Sequence, residues 1–223
     1  MTTPPTRTGR GRPPRLDPVR TIETALALLD EGGLDALTMR RLADAMGVQA
    51  GALYRYFATK EDLLTAMAER ILAQVSAPTA EEGGSADWSA RLSALARSLR
   101  LALLAHRDGA RVFAGTHSTG PNTLNLADSG IGILRGAGFD DADAARALLA
   151  VVHYTVGHTL EEQAALSPAG EAPAAPEVLR EAVTAAGTYP HLTATLPILT
   201  SQDHADRFEF GLGLLTRGLL TRA

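Results

Sequence analysis

Apolar residues recur along this chain at intervals of three and four, and no segment sustains the two-residue alternation of a half-buried strand. Val19, Ile22, Leu26 and Leu29 begin the pattern, and Leu63, Leu64, Met67, Ile71 and Val75 repeat it. Trp88, Leu92, Leu95, Leu99 and Leu103 form a third stripe, and Phe208, Leu212, Leu215 and Leu219 a last one. Such stripes are buried by packing helix on helix, so the expected fold class is all-α. Helix ends are marked as well. Asp17-Pro18 makes a start, because Asp accepts from the free N–H groups of a first turn and Pro fits the first helical position. Gly32-Gly33 makes a stop. Thr38 opens a second helix that Gly47 breaks, a third is expected over 50–57, and Thr59 with Asp62 forms the capping pattern of a fourth. Further helices are expected over 87–106, 122–137, 141–166, 177–186 and 203–220. Residues 77–86 and 167–176 read as loops, and proline punctuates the stretch to Ser201.

With 223 residues the chain can bury a core unaided. The absence of cysteine removes disulfides, a thiol nucleophile, an iron–sulfur cluster and thiolate zinc together. No apolar run approaches the roughly 20 residues of a membrane span. The opening residues lack the apolar stretch of a secretory signal. A cytoplasmic protein without a membrane partner is expected. The net charge of −4 hides an asymmetry: residues 1–60 carry nine basic and six acidic groups, and the rest twelve and nineteen. Either a small polyanion-binding module precedes a larger body that does not bind, or the basic end is a solvated surface. Residues 1–15, rich in Thr, Pro, Gly and Arg, read as a disordered basic arm.

The segment 37–60 carries the most chemistry. Two short helices meet at Gly47, with Ala43, Met46, Val48 and Leu53 where crossing helices must touch. That is helix-turn-helix logic, in which the second helix is presented to a major groove. Its outward side would offer Gln49, Ala50, Gly51, Ala52, Tyr54, Arg55 and Tyr56. Small side chains allow close approach to base edges, Tyr hydroxyls suit phosphates, and Gln49 can pair with an adenine edge. Arg40 and Lys60 stand at the two ends, suited to the DNA backbone. Periodicity alone leaves an ordinary packed αα corner as the alternative.

The strings are more specific than the periodicity. Leu37-Thr-Met-Arg-Arg-Leu-Ala, Gly47-Val, Leu53-Tyr-Arg-Tyr-Phe and Lys60-Glu-Asp-Leu-Leu closely resemble the DNA-binding domain of TetR-family transcriptional regulators. The resemblance implies a homodimer reading a palindromic double-stranded DNA operator, most often as a repressor released by a small-molecule effector. It places Thr38, Met39, Arg40, Gln49, Ala50, Gly51, Ala52, Tyr54, Tyr56 and Lys60 at the DNA. It also implies three parts: the arm 1–15, a DNA-binding domain 16–62, and a ligand-binding and dimerisation domain 63–223.

Further along, Ala102-Leu-Leu-Ala-His-Arg-Asp-Gly-Ala-Arg-Val-Phe-Ala-Gly-Thr, Gly138-Phe139 and Ala150-Val-Val-His-Tyr-Thr-Val-Gly-His-Thr-Leu-Glu-Glu-Gln resemble the ligand-binding domain of the tetracycline repressors. In those proteins a histidine before a Gly-Thr pair coordinates the magnesium of the drug complex. Here that position is Phe113, which cannot ligate a cation. Ser76 and Leu95 stand where the family has His and Asn, Leu99 replaces an aromatic residue, and Thr116 is retained. The resemblance thus implies a metal-free, more apolar pocket for a hydrophobic or aromatic ligand, with Thr116, His117, His153 and Glu161 as polar anchors. His153 and Glu161 share a helix face with Gly157, and a polar pair in a helix interface is the plainer alternative. His153 and His158 are five apart, unsuited to a helical metal pair.

His106-Arg107-Asp108 is assigned to a hinge between head and body. A ligand-driven shift of 106–115 would swing the fourth helix and change the spacing of two heads. Dimerisation is expected through 141–166 and the last helix, with Gly157, Gly211, Gly213 and Gly218 permitting close approach. In the arm, Arg10-Gly-Arg-Pro resembles the core of AT-hook peptides, which suggests a minor-groove contact, with a plain basic tail as the alternative. No cofactor and no catalytic residue is expected. An activator or dual regulator of the same fold, or a helical enzyme using His153 and Glu161, would be the competing readings.

Overall fold

The computed structural model describes residues 16–76, 88–166 and 175–220, and among these residues every regular element is a helix. Four short helices form the head: α1 (Pro18–Gly32), α2 (Met39–Met46), α3 (Ala50–Leu53) and α4 (Lys60–Leu72). The caps are those the sequence announces. Asp17 accepts from the Val19 N–H at 3.0 Å, and Thr38 from the Arg41 N–H at 3.1 Å. Thr59 and Asp62 exchange side-chain-to-backbone bonds in a complete capping box. Gly47 adopts φ 65°, ψ 32°, a left-handed geometry that a side chain would strain and that turns the chain from α2 into α3. Leu29, Leu37, Leu42, Leu53, Leu63 and Met67 are fully buried and bind the four helices together.

α3 is shorter than the 50–57 expected. It ends at Leu53 and continues as a turn, in which the Phe57 N–H reaches the Leu53 carbonyl. Gly51 weakens so short a helix, and the turn lets Phe57 bury itself beside Leu53. Tyr54 and Tyr56 therefore stand on that turn, not on a helix face.

The body comprises α5 (Trp88–Leu104), α6 (Gly109–Ala114), α7 (Pro121–Gly136), α8 (Asp141–Leu166), α9 (Ala175–Ala186), α10 (Pro190–Leu199) and α11 (His204–Leu220). α5 is the central helix, packed against α6, α7, α8 and α11, with Leu92, Leu99 and Leu103 wholly buried. Trp88 meets Phe139 edge to face at 5.3 Å, closing the end near the α7–α8 turn. α9 and α10 pair with one another and leave Val178, Leu179, Leu192 and Ile198 exposed.

In the body the main departures from the sequence reading are at α5, α6 and α10. α5 stops at Leu104, two residues early. The helix expected within 106–115 is shorter, α6 over Gly109–Ala114: six residues are too few to show a period, and Asp108 before it lies in the left-handed region at φ 57°. Its first residue, Gly109, is required by close approach, since a Cβ there would run into the Leu103 carbonyl oxygen. α10 is helical across a stretch rich in proline because Pro190 occupies the tolerated first turn and Pro197 falls near the end. The arm 1–15 and the loop 77–86 lie outside the described residues, as does most of 167–176.

Candidate nucleic-acid interface and effector cavity

The head presents a small-residue helix followed by exposed aromatics. Gln49 and Gly51 are exposed, and Ala50 and Ala52 half-buried. Tyr54 and Tyr56, on the adjoining turn, are 50% and 43% exposed. Arg40 and Arg55 are exposed and Lys60 half-buried. Thr38 is committed to capping α2, although its residue as a whole is exposed. Met39 is buried, so its side chain supports the head from within instead of reaching outward.

In the body, α5, α7 and α8 enclose a narrow gap of about 10 Å³, room for at most one water. Leu92, Leu95 and Leu99 line it from α5, Leu126 from α7, and Val152 and Thr155 from α8. Thr155, the only hydroxyl-bearing side chain in that lining, donates a hydrogen bond to the Val151 carbonyl at 2.8 Å. Pockets for drug-sized ligands occupy roughly 300–1,000 Å³, so an occupant must part these helices.

Of the residues expected at the ligand, Leu95 and Leu99 come together here. The others are placed elsewhere. Phe113 packs half-buried against the core, and the Thr116 hydroxyl donates to the Phe113 carbonyl at 3.0 Å, closing the end of α6. His117 is exposed. Ser76 is exposed, and its N–H donates to the Ser98 hydroxyl at 2.9 Å. His153, Gly157 and Glu161 are exposed together along the outer face of α8. Magnesium does not suit what surrounds the gap: its lining has no carboxylate or imidazole, and among the described residues no cluster of His, Asp or Glu is arranged for a metal.

Beyond the gap lies a polar cluster that sequence reading missed. Arg100 forms a two-pronged bond to Glu162 at 2.9 and 2.7 Å and sits 5.0 Å above the Phe208 ring. Phe208 stacks on Tyr154, whose hydroxyl donates to the Arg207 and Phe208 carbonyls. His158 Nε2 donates to the His204 carbonyl at 2.9 Å, and burial lowers the tendency of that imidazole to take a second proton. The paired acid is Glu162, not its exposed neighbour Glu161.

Head and body are clasped in two places. At the first, Asp30 accepts from His106 Nδ1 at 3.0 Å and from the Arg107 N–H at 2.9 Å. Asp108 accepts from the Leu34 N–H at 2.8 Å, and Arg111 pairs with Asp35 at 3.0 Å. From the other side, Gln163 of α8 accepts from the Ala110 N–H and donates to the Leu103 and His106 carbonyls. The stretch 106–108, assigned to a hinge in the sequence, is held by Asp30 of α1 and Gln163 of α8 at once. At the second, Glu69 of α4 accepts from the Asn122 and Thr123 N–H groups and the Ser118 and Thr123 hydroxyls. Asn122 returns a bond to the Glu69 carbonyl at 2.9 Å. Burial alone would raise the Glu69 pKa, but these donors outweigh it and hold the carboxyl below its ordinary range.

Comparison with known proteins agrees with this architecture. The family described as "Bacterial regulatory proteins, tetR family" matches residues 22–67, and "Tetracyclin repressor-like, C-terminal domain" matches 77–223. The tetracycline repressor protein class A from transposon 1721 of Escherichia coli is 41% identical, covering 93% of this chain and 92% of its own. The crystal structure of "a possible TetR family transcriptional regulator" from Streptomyces coelicolor A3(2) superposes with a TM-score of 0.86 at 66% identity, covering 93% of this chain and all of that one. The Streptomyces coelicolor TetR family protein ActR, in complex with actinorhodin, gives 0.81 at 32% identity, covering 93% and 98%. The chain belongs to the TetR family, a family of transcriptional regulators.

Proposed function

We propose that this chain is a homodimeric repressor that leaves a palindromic operator when an apolar or aromatic small molecule opens the α5–α7–α8 gap. The observation that carries the reading is where that gap lies: its walls are the same helices whose ends clasp the head. α5 runs from Leu92 and Leu99 in the lining to the His106 clasp, and α7 runs from Leu126 back to the Glu69 clasp. An occupant that separates these helices must displace at least one clasp, which couples ligand to DNA through a shared equilibrium.

The DNA-binding domain is assigned to 16–62 and the ligand-binding and dimerisation domain to 63–223; α4 starts in the first and runs into the second, so its later turns tie the head to the body. α3 and its following turn are the DNA-reading element, with Gln49, Ala50, Gly51 and Ala52 toward base edges and Arg40, Tyr54, Tyr56 and Lys60 toward phosphates. The lining favours carbon-rich ligands, because its one hydroxyl already has a partner. That ActR is known in complex with actinorhodin supports a small-molecule effector for a relative of this kind. Dimerisation is assigned to the outer faces of α8 and α11, where Leu149, Phe210 and Leu214 are exposed beside Gly157 and Gly218. His153 and Glu161 share that face, so a contact with ligand would come from across the dimer. No described helix is long and apolar enough to cross a membrane.

Selection of genomic DNA fragments by the purified full chain tests the reading. Enrichment of one palindrome is the expected result. Retention of random fragments without a common site would contradict it.

A further inference from the structure

The family reading routes the effector signal through a shift of 106–115 that swings the fourth helix, α4. A second connection between body and head is built into this chain. Glu69 lies in the middle of the last two turns of α4, the helix that ends the head. Its carboxylate takes four hydrogen bonds from the segment that starts α7: the Ser118 hydroxyl at 2.7 Å, the Asn122 N–H at 2.9 Å, the Thr123 N–H at 3.1 Å and the Thr123 hydroxyl. The first residues of a helix have N–H groups without intrahelical partners, and α7 has no capping side chain of its own at Gly120. Glu69 supplies that cap from another helix. Gly120 makes room for it, since a Cβ there would run into the Glu69 carboxylate. Asn122 also donates to the Glu69 backbone carbonyl at 2.9 Å, so the tie engages α4 by main chain as well as side chain. Leu126, one turn further along α7, lines the gap.

We propose that Glu69 is a positioning residue that carries displacement of α7, caused by an occupant of the gap, into α4 and so into the DNA-reading head. The proposal rests on the effector reading above and adds a second route to it. The route is stiff because a carboxylate taking several charge-assisted bonds cannot slide along α7 without giving up bonds together. An α7 pushed off α8 must pull α4 with it or break the cap.

The test imitates the occupant by substitution. Gly130→Ala puts a Cβ against the Leu148 side chain of α8, and Leu126→Phe enlarges a wall of the gap, so each crowds the contact between α7 and α8. Head position is read as the distance between spin labels at Ala45→Cys on α2 and Leu101→Cys on α5, both exposed sites in a chain without native cysteine. Labelled protein is diluted with unlabelled, so only the intrachain distance is measured. Each wedge is made with Glu69 present and with Glu69→Gln, which keeps the shape but loses the charge and turns one of the two acceptor oxygens into a donor. Thermal unfolding verifies that each variant folds. Should Glu69→Gln fail to fold, Ser118→Ala with Thr123→Val removes two donors and leaves the carboxylate.

The expected result is a head displacement of about 2 Å, the scale of helix shifts at interfaces, with Glu69 present and little or none without it. A merely structural Glu69 would lower the unfolding temperature and leave the wedge effect unchanged, because independent effects add. Equal displacement in both backgrounds would overturn the Glu69 route while leaving the gap-to-head coupling intact. No displacement in either background would overturn both.

Discussion

Replacing Glu162 by leucine leaves the Arg100 guanidinium in place without its carboxylate. The two side chains are only 12% and 9% exposed, they share two short bonds, and the Phe208 ring covers one face of the cation. Water cannot easily take the place of the lost partner. Removing one member of such a pair costs about 3–5 kcal/mol, because a charge remains buried and uncompensated. For a chain of this size that is a fall of about 6–20 °C in Tm. The pair itself contributes far less, since its mutual attraction mostly offsets the cost of dehydrating both ions. Arg100→Met together with Glu162→Leu is therefore expected within about 2 kcal/mol of the native protein, in either direction. Calorimetry at one fixed protomer concentration gives the comparison, as association shifts apparent stability. A single variant no less stable than the double would refute the reasoning, showing that Arg100 reaches solvent when its partner is removed.

Three other outcomes follow. Glu69 and Glu209 have depressed pKa values, the first from donors that outweigh its burial and the second from its bonds to Arg97. Their contribution to stability is complete above the unfolded carboxylate value of about 4.3 and is lost as pH falls through the folded values. Urea unfolding from pH 7 to 3 should show the gap between native protein and Glu69→Gln closing below about pH 4.3; a constant gap would contradict this. Lys60→Ala should lower operator affinity on all sequences alike and reduce the slope of log K against log salt by about 0.9, whereas Gln49→Ala should relax preference at particular bases and leave the slope unchanged. Deleting residues 1–14 removes three arginines and should flatten the slope by up to about 2.7 if the arm lies in the minor groove; an unchanged slope would leave it without a role on DNA.

Much of the head was legible because its signals are local. Asp17, Thr38, Thr59 with Asp62, and Gly47 act on residues at most four positions away, and each performs the role its type and place suggest. The long helices α5, α8 and α11 were legible from stripes spanning several turns. α6 was legible only through the resemblance, because six residues carry no period, and α10 was hidden by prolines that sit where a helix tolerates them. The body's polar contacts were the hardest to read. Glu162 and Glu161 are adjacent, equally acidic and on one helix, and only the 62-residue separation closed by folding makes Glu162 the partner of Arg100. The Glu69 cap likewise joins residues 49–54 apart in sequence. A glycine before a proline at 120–121 announced a helix start without a capping side chain, which was the available signal that a cap must come from elsewhere.

The central claim is that α3 and its turn read operator DNA as one of a pair of heads. Methylation interference on a selected operator tests it directly. The account predicts two major-groove contact sites, centred one helical turn or a multiple of it apart, about 34–36 Å per turn, with contacts at equivalent bases of both half-sites weakened by Gln49→Ala. A single contact site, or an interference pattern indifferent to Gln49, would contradict it.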